Sequence, residues 1–451
     1  MVDPDRELSN DPGNINNSEL EIIDLDNQKL NSHNFQFTPR VRVWLSLATI
    51  VSSFLLLSLV LGNLLHLALP TLLTLPSSQR QTTANAPLFP VSLITVRDHV
   101  AYAATTDNMI YALRTSDGTL LWHNRYVGAN WLTTLHGVTY ITTVSGLITA
   151  LRTQDNIQLW QHRLPAPAIQ ALTLSDGHGY IITSENTLYA LRLDNGALLW
   201  HYALNARISQ PIIASNGVIY VSTGTGQLDT FNASNGSLLW HIQLSLPIAQ
   251  PPLIANNIVY LGSGDNTTIK ALRASNGSLL WQYDLSSFYA QPLLLTHGKL
   301  YITTFDGMVY ALRADHGSLL WRQQIPITVN EPLATDDQAI YLHTISNRLY
   351  ALQALTGSLL WKSQQSNVLT FGVTNSAVYT ATIEGNLSAN RGKDGTGIWQ
   401  HPFLFSMPST YTLSRPLIIA DGAVFIGTSD GNVYTLRAND GHDFWRYAIH
   451  L

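Results

Sequence analysis

A tryptophan closes the same short phrase nine times in this chain of 451 residues. The phrase opens with a turn residue and glycine and continues through three residues rich in Ser and Leu; it is plainest at 235–240, Asn-Gly-Ser-Leu-Leu-Trp. The nine residues are Trp122, Trp160, Trp200, Trp240, Trp281, Trp321, Trp361, Trp399 and Trp445. Seven of the eight spacings are 38 to 41 residues, and the last is 46. A period near forty predicts a repeat architecture, in which no unit buries its apolar faces without neighbours.

Each repeat unit has the pattern of four short strands. In the unit that ends at Trp240, β-branched, leucyl and aromatic runs occupy 209–214, 218–223, 227–231 and 237–242, with Gly/Asn turn signals between them. This pattern predicts an antiparallel meander. Four-stranded sheets at a forty-residue period are typical of propeller blades, whose radial packing protects sheet edges. We therefore interpret the nine tryptophans as structural anchors between blades rather than as stacking platforms for a cofactor or a sugar.

The repeat also resembles that of a known family. The phrase at 189–200, Tyr-Ala-Leu-Arg-Leu-Asp-Asn-Gly-Ala-Leu-Leu-Trp, and its eight companions are similar to the repeat of PQQ-like (quinoprotein dehydrogenase-like) β-propellers. The resemblance covers roughly residues 90–451, and 91–451 is expected to be the propeller domain. It implies an all-β fold of four-stranded blades. The family usually closes eight blades, which the resemblance implies here, although nine units are counted.

The resemblance raises the question of catalysis. In the dehydrogenases of this family, a quinone lies between a tryptophan and a ring of adjacent half-cystines, beside a calcium ion and an Asp that acts as general base. This chain has no cysteine and lacks the long inserted loops that build such a pocket. We therefore expect no cofactor, no metal site and no catalytic residue. A PQQ-dependent membrane-bound oxidoreductase is the alternative.

A second recurrence marks the start of the first strand in several units. The residues are Gln170, Gln210, Gln250, Gln291, Glu331 and Arg415, and all but Gln170 directly precede a proline. The first strand of a propeller blade lines the central channel, so these side chains are expected to form a ring near one mouth. Amides in such a ring offer donors and acceptors to a peptide backbone or a sugar. The competing interpretation is that they bond neighbouring backbone groups.

The N-terminal part of the chain differs from the repeats. No Asp, Glu, Lys or Arg occurs from 43 to 79, and the apolar run at 43–61 is close to the ~20 residues that a bilayer core requires. We predict a disordered cytoplasmic tail at 1–42, a transmembrane helix at 43–69 and a linker at 70–90. Arg40 and Arg42 before the helix place the N-terminus in the cytoplasm. A cleaved signal peptide with its cleavage site at 84–86 is the less favoured reading.

Composition limits the partners. Charged residues make up 12% of the chain and the formal net charge is −5, so no basic surface is expected for nucleic acid. The expected function is that of a non-catalytic binding or scaffold module, anchored in the cell membrane by a single pass, with its propeller outside the cytoplasm and a protein or glycan as partner. A sensor that signals through the N-terminal tail is a further alternative.

Overall fold

The computed structural model describes residues 91–248, 250–262, 267–364, 367–374, 376–402, 417–428 and 431–449. Among these residues, no helix is long and apolar enough to cross a membrane. The tail predicted at 1–42, the helix predicted at 43–69, the linker predicted at 70–90 and Arg415 all lie outside the described residues.

The described residues form nine antiparallel sheets, each with four strands paired in chain order. We number these sheets as blades 1 to 9. Blade 1 contains β1 (Val91–Arg97), β2 (Val100–Thr105), β3 (Met109–Arg114) and β4 (Leu120–Arg125). Blade 2 contains β5 (Ala129–Leu135), β6 (Val138–Thr143), β7 (Leu147–Arg152) and β8 (Gln158–Arg163). Blade 3 contains β9 (Thr173–Ser175), β10 (His178–Ile182), β11 (Thr187–Arg192) and β12 (Leu198–Ala203).

The middle blades repeat this arrangement. Blade 4 contains β13 (Ile213–Ser215), β14 (Val218–Ser222), β15 (Gln227–Asn232) and β16 (Leu238–Gln243). Blade 5 contains β17 (Leu253–Ala255), β18 (Ile258–Gly262), β19 (Thr268–Arg273) and β20 (Leu279–Asp284). Blade 6 contains β21 (Leu294–Thr296), β22 (Lys299–Thr303), β23 (Met308–Arg313) and β24 (Leu319–Gln324).

The last three blades complete the series. Blade 7 contains β25 (Ala334–Thr335), β26 (Ala339–His343), β27 (Leu349–Gln353) and β28 (Leu359–Lys362). Blade 8 contains β29 (Val368–Val373), β30 (Ala377–Thr382), β31 (Asn386–Arg391) and β32 (Gly397–Pro402). Blade 9 contains β33 (Ile418–Ala420), β34 (Ala423–Gly427), β35 (Asn432–Arg437) and β36 (Asp443–Ala448).

The first strands lie at the inner edge of the ring. First strands of neighbouring blades contact each other, as at β9 with β13, β25 with β29, β29 with β33, and β1 with β33. Radial sheets converge toward an axis, so their innermost strands are the ones that meet. The fourth strands accordingly form the outer edge, where side chains on both faces of the strand reach solvent.

The first strand is shorter than the sequence pattern predicts. In blade 4 the predicted strand at 209–214 is replaced by an irregular segment, held by a bridge between Ile208 and Thr223, and β13 begins only at Ile213. Pro211 lies within this segment, and proline cannot donate a ladder hydrogen bond. Equivalent bridges join Ala168 to Thr183, Tyr289 to Thr304 and Val329 to Thr344. These segments therefore interrupt the regular ladder at the inner edge.

Each tryptophan anchors its blade to the next one along the chain. Trp200 Nε1 donates to Ala233 O at 3.1 Å, and its ring rests on Gly236, where an added Cβ would lie 2.6 Å from Trp200 Cε3. The second-strand Tyr180 packs on the same indole, with ring centroids 6.1 Å apart. The corresponding acceptors for the other eight tryptophans, in chain order, are the carbonyls of Thr153, Leu193, Ala274, Ala314, Ala354, Gly392, Ala438 and Thr115.

The last of these bonds closes the ring. Trp445 Nε1 of blade 9 donates to Thr115 O of blade 1 at 2.8 Å, and Thr115 Oγ1 donates to Asp421 Oδ2 at 2.8 Å. One apolar cluster joins Leu113 of β3 to Phe425 of β34. The described residues therefore form a nine-bladed propeller. The count of nine units is confirmed, and the eight blades implied by the family resemblance are wrong for this chain, because every unit supplies its own four strands and its own indole.

We predict that Gly236→Ala destabilises the protein more than Gly217→Ala. Both glycines have positive φ, +71° and +73°, so both variants bear the backbone cost of about 1–2 kcal/mol. Only at position 236 does the new methyl group meet an indole, whereas nothing lies within 4 Å of it at 217. The free energy of unfolding from urea titration should differ by a further ~1–3 kcal/mol. Equal losses would contradict the indole-on-glycine contact.

Candidate binding ring at the inner edge

Five of the six predicted ring residues lie in the described part of the chain, just before the first strands of blades 3 to 7. Gln170, Gln210, Gln291 and Glu331 each follow a bridged residue by two positions, so they occupy equivalent places in their blades. Gln250 holds the same position relative to its proline in blade 5. We call these five residues, Gln170, Gln210, Gln250, Gln291 and Glu331, the inner ring.

Three glutamines of the inner ring bond to the backbone of the following blade. Gln170 Oε1 accepts from Ile212 N at 3.2 Å. Gln210 Nε2 donates to Ile248 O at 3.3 Å, and Gln291 Nε2 donates to Val329 O at the same distance. These bonds fix the orientation of the amides.

The glutamines differ in exposure. Gln170 is buried, with 7% of its surface exposed, whereas Gln210, Gln250 and Gln291 are half-buried. The bonds match the backbone-bonding interpretation of these residues, while the partial exposure leaves three amides accessible at the inner edge. Binding of a ligand by the inner ring stays a prediction.

Blade 7 departs from the amide pattern through a carboxylate and a histidine. Glu331 Oε1 lies 3.2 Å from His343 Nδ1, and His343 Nε2 lies 2.9 Å from Val368 O of blade 8. A carbonyl oxygen only accepts, so Nε2 carries a hydrogen. The pair joins Glu331, with 17% of its side chain exposed, to an imidazole with 1% exposed.

The buried phenols between blades stay protonated. Burial raises the pKa of Tyr289 to about 12, and it raises the pKa of Tyr301 to about 12. Burial, followed by the bond to the Asp336 carboxylate, raises the pKa of Tyr341 far above its usual range. Around neutral pH the hydroxyls of Tyr301 and Tyr341 serve as hydrogen-bond donors, to Ala354 O at 3.0 Å and to Asp336 Oδ2 at 2.7 Å.

A buried carboxyl group lies in blade 4, outside the inner ring. Burial raises the pKa of Asp229, while the hydrogen bond from Gln227 and the charge of His241 act in the opposite direction. Asp229 and His241 face each other across β15 and β16. In blades 1 and 3 a tyrosine stacks on a histidine at this cross-strand position. Because the position holds a packed pair in those blades, we interpret the Asp229–His241 pair as structural. Among the described residues, no three His, Asp or Glu side chains are grouped to hold a metal.

Two further surfaces were not singled out by the sequence pattern. The turns between first and second strands meet at one face of the ring, where His99 Nδ1 lies 3.0 Å from Asp421 Oδ2 and His297 Nδ1 lies 3.4 Å from Asp337 Oδ1. The sequence shows these residues only as turn formers. On the outer edge, leucine pairs of five successive fourth strands are exposed. They are Leu198, Leu199, Leu238, Leu239, Leu279, Leu280, Leu319, Leu320, Leu359 and Leu360.

Trp131 was also missed by the repeat analysis. It lies on β5, at the inner edge of blade 2, and packs partly against the cluster between blades 2 and 3. Its signal in the sequence is that it falls outside the forty-residue phrase that accounts for nine of the eleven tryptophans. Trp131 therefore does not belong to the set of blade anchors, and it lies at the inner edge instead.

We predict that the substitutions Glu331→Gln and His343→Ile are strongly non-additive. The double variant reproduces blade 3, where Gln170 and Ile182 occupy the equivalent positions. Glu331→Gln alone should leave the free energy of unfolding nearly unchanged, because its amide can donate to Nδ1. His343→Ile alone removes the imidazole beside a carboxylate and the bond to Val368 O, at a cost of about 1–3 kcal/mol.

The double variant should lose less than the sum of the two single changes, measured as a double-mutant cycle in urea. A coupling energy near zero would show that the two side chains do not interact.

Comparisons with known proteins agree with this architecture. The family model described as Outer membrane protein assembly factor BamB matches residues 107–212, 184–295 and 268–412. The crystal structure of BamB from Moraxella catarrhalis superposes with a TM-score of 0.53 at 18% identity, over 69% of this chain and 94% of that one. The computationally designed Ika8 protein superposes with a TM-score of 0.51 at 16% identity, over 67% of this chain and 94% of the other.

The structural matches show the fold alone, and no curated protein sequence matches the chain. The family model, by contrast, covers more than half of the chain in three overlapping segments that span blades 1 to 8. The chain therefore belongs to the family of PQQ-like propellers described as Outer membrane protein assembly factor BamB.

Proposed function

We propose that this protein is a non-catalytic scaffold that binds a protein partner at the inner mouth of its propeller, and that it is held at the cell membrane by a single N-terminal helix with the propeller outside the cytoplasm. The observation that carries the proposal is the inner ring. Gln210, Gln250 and Gln291 are half-buried at equivalent positions of successive blades, and bonds to the next blade fix the orientation of Gln210 and Gln291.

An oriented set of neutral amides suits an extended peptide. Each amide group carries both donors and acceptors, as does the peptide backbone. Holding such side chains in place before binding lowers the entropy that association costs. Glu331 introduces one carboxyl group into this ring, and such a group accepts well from a cation or from backbone N–H groups. The ring therefore favours a strand-like segment of a partner that carries a basic residue.

The outer edge supports a protein over a glycan as partner. The exposed leucine pairs of blades 3 to 7 repeat around the outer edge, where each residue is 38% to 53% exposed. Exposed apolar surface of this kind marks sites of protein association. The matched family is described as an assembly factor, a role that fits a scaffold.

The membrane anchor and the absence of catalysis rest on the sequence. The apolar run at 43–61 has the length of a transmembrane helix, and Arg40 and Arg42 precede it. The chain has no cysteine, so the half-cystine ring of the related dehydrogenases cannot form. These features support a tethered binding module over a quinoprotein oxidoreductase.

We predict that Gln210→Leu combined with Gln291→Leu weakens partner capture at least tenfold. A photo-reactive phenylalanine at position 250 of the full-length protein should cross-link to a defined protein in the native host, because Gln250 lies between the two substituted amides. The double variant should lose this product, since leucine removes both bonding groups. Thermal unfolding of the variant measures the accompanying loss of the bonds to Ile248 and Val329.

Gln282→Leu is the matched control, because it makes the same change on an exposed residue of the outer strand β20. It should cross-link as the wild type does. Cross-linking only to polysaccharide, or no discrete product from position 250, would contradict a protein partner at the inner ring. Dye-linked oxidation of alcohols after addition of PQQ and calcium would contradict the non-catalytic part.

A further inference from the structure

A cleft of about 320 Å³ opens between blades 1 and 2, at the start of the inner strand β5. Its apolar walls come from the second and third strands of blade 1 and from β5. They include Tyr102, Ala104, Ile110, Ala129 and Leu132. Asn108 and Asn130 also line it and give it a polar edge. Its volume and its mixed lining are those of a small ligand pocket.

The equivalent space is filled from within the chain at other blade interfaces. Between blades 5 and 6, the ring of Tyr289 occupies it so closely that a Cβ added at Gly262 would lie 2.1 Å from Tyr289 Cε1. Gly262 is the last paired residue of the second strand in its blade, and Tyr289 is the bridged residue before the first strand of the next blade. Tyr289 is only 2% exposed.

Two other interfaces fill the space in the same way. Ser222 and Ile248 occupy the two positions between blades 4 and 5, and Thr303 and Val329 occupy them between blades 6 and 7. Ile248 and Val329 are each 1% exposed. At these three interfaces, a side chain of at least valine size therefore fills the space beside the Gly, Ser or Thr that ends the second strand, whereas between blades 2 and 3 the two positions are Thr142 and Ala168.

Between blades 1 and 2, both positions are alanine. Ala104 is the last paired residue of β2, and Ala129 is the first residue of β5; both are half-buried. The connection from the fourth strand of blade 1 to the first strand of blade 2 is also shorter. Tyr126 and Ala129 are three residues apart, whereas the equivalent residues of the next interface, Leu164 and Ala168, are four apart. Tyr126 N and Leu164 N make equivalent bonds, to Asn108 O and Gly146 O at 2.9 Å. The two small side chains account for the cleft.

We propose that this cleft receives the side chain of one tyrosine from the protein partner, a step that rests on the proposed function. The chain itself shows which group fits, since Tyr289 fills the same space beside Gly262. The apolar walls suit the phenol ring, and the amides of Asn108 and Asn130 can bond its hydroxyl. The cleft lies at the start of a first strand, at the inner edge that also carries the inner ring, so one extended segment can reach both.

The cleft is tested with p-cresol, the side chain of tyrosine, added to the purified full-length protein. Titration calorimetry should show one saturable site per chain. Ala129→Ile places at this position the residue that fills the space in blade 5, so it should weaken p-cresol binding at least tenfold without lowering the melting temperature. Val329→Ile makes a comparable change at an interface that is already filled, and it should bind p-cresol as the wild type does.

A second filling variant, Ala104→Thr, reproduces the residue of blade 6 from the opposite wall and decides the outcome if Ala129→Ile folds poorly. Absence of saturable p-cresol binding to the wild type, or unchanged binding to both filling variants, would overturn the proposal.

The partner cross-link from position 250 separates this inference from the function on which it rests. Ala129→Ile should reduce that product at least fivefold while Val329→Ile leaves it unchanged. An undiminished product in Ala129→Ile would overturn the tyrosine site and leave the proposed scaffold function intact. A wild-type protein that binds p-cresol but cross-links to no protein would contradict the scaffold function. It would also contradict the proposal that the inner ring binds a protein partner.

Discussion

The contact of each indole with the next blade, where eight of the nine indoles rest on a glycine and Trp122 meets the turn that contains Asn156, is the interaction on which the ring depends. A glycine at positive φ gives the turn its shape and leaves room for the face of the indole, as Gly236 does for Trp200. The indole N–H then bonds a carbonyl of the same neighbouring blade. Because nine indole N–H bonds join consecutive blades and the last returns to Thr115, the first strands are held together at the inner edge.

The sequence predicts this framework well because the framework is periodic. The indole spacing and the turn signals predict four strands per unit, and β14, β15 and β16 agree with the predicted runs to within about one residue at each end. The predicted first strand agrees only at its end, because Pro211 interrupts the ladder and leaves a bridge at Ile208 and the short strand β13. The number of blades follows from counting units, whereas the family resemblance implies one blade fewer.

The features with functional interest are departures from the period, and these are harder to predict. The recurrence of glutamine before proline identifies the inner ring, yet the bonds from Gln210 and Gln291 to the next blade require coordinates. The His343–Glu331 pair is visible only once β26 and the segment before the first strand of blade 7 are placed side by side. The cleft between blades 1 and 2 arises from Ala104 and Ala129, and alanine carries no sequence signal of its own. Regular blades thus supply rigidity, while single substitutions within them create places where a ligand can bind.

Closure of nine blades is the central claim, and a cysteine pair tests it most directly because the natural chain has no cysteine. His99 of blade 1 and Asp421 of blade 9 lie 3.0 Å apart with both side chains accessible. The His99→Cys/Asp421→Cys variant, treated with a short bismaleimide, should form an intramolecular cross-link identified by peptide mass, whereas His99→Cys paired with Asn216→Cys of blade 4 should not. Failure of the first pair to cross-link in the folded monomer, or equal cross-linking of both pairs, would contradict a closed nine-bladed ring.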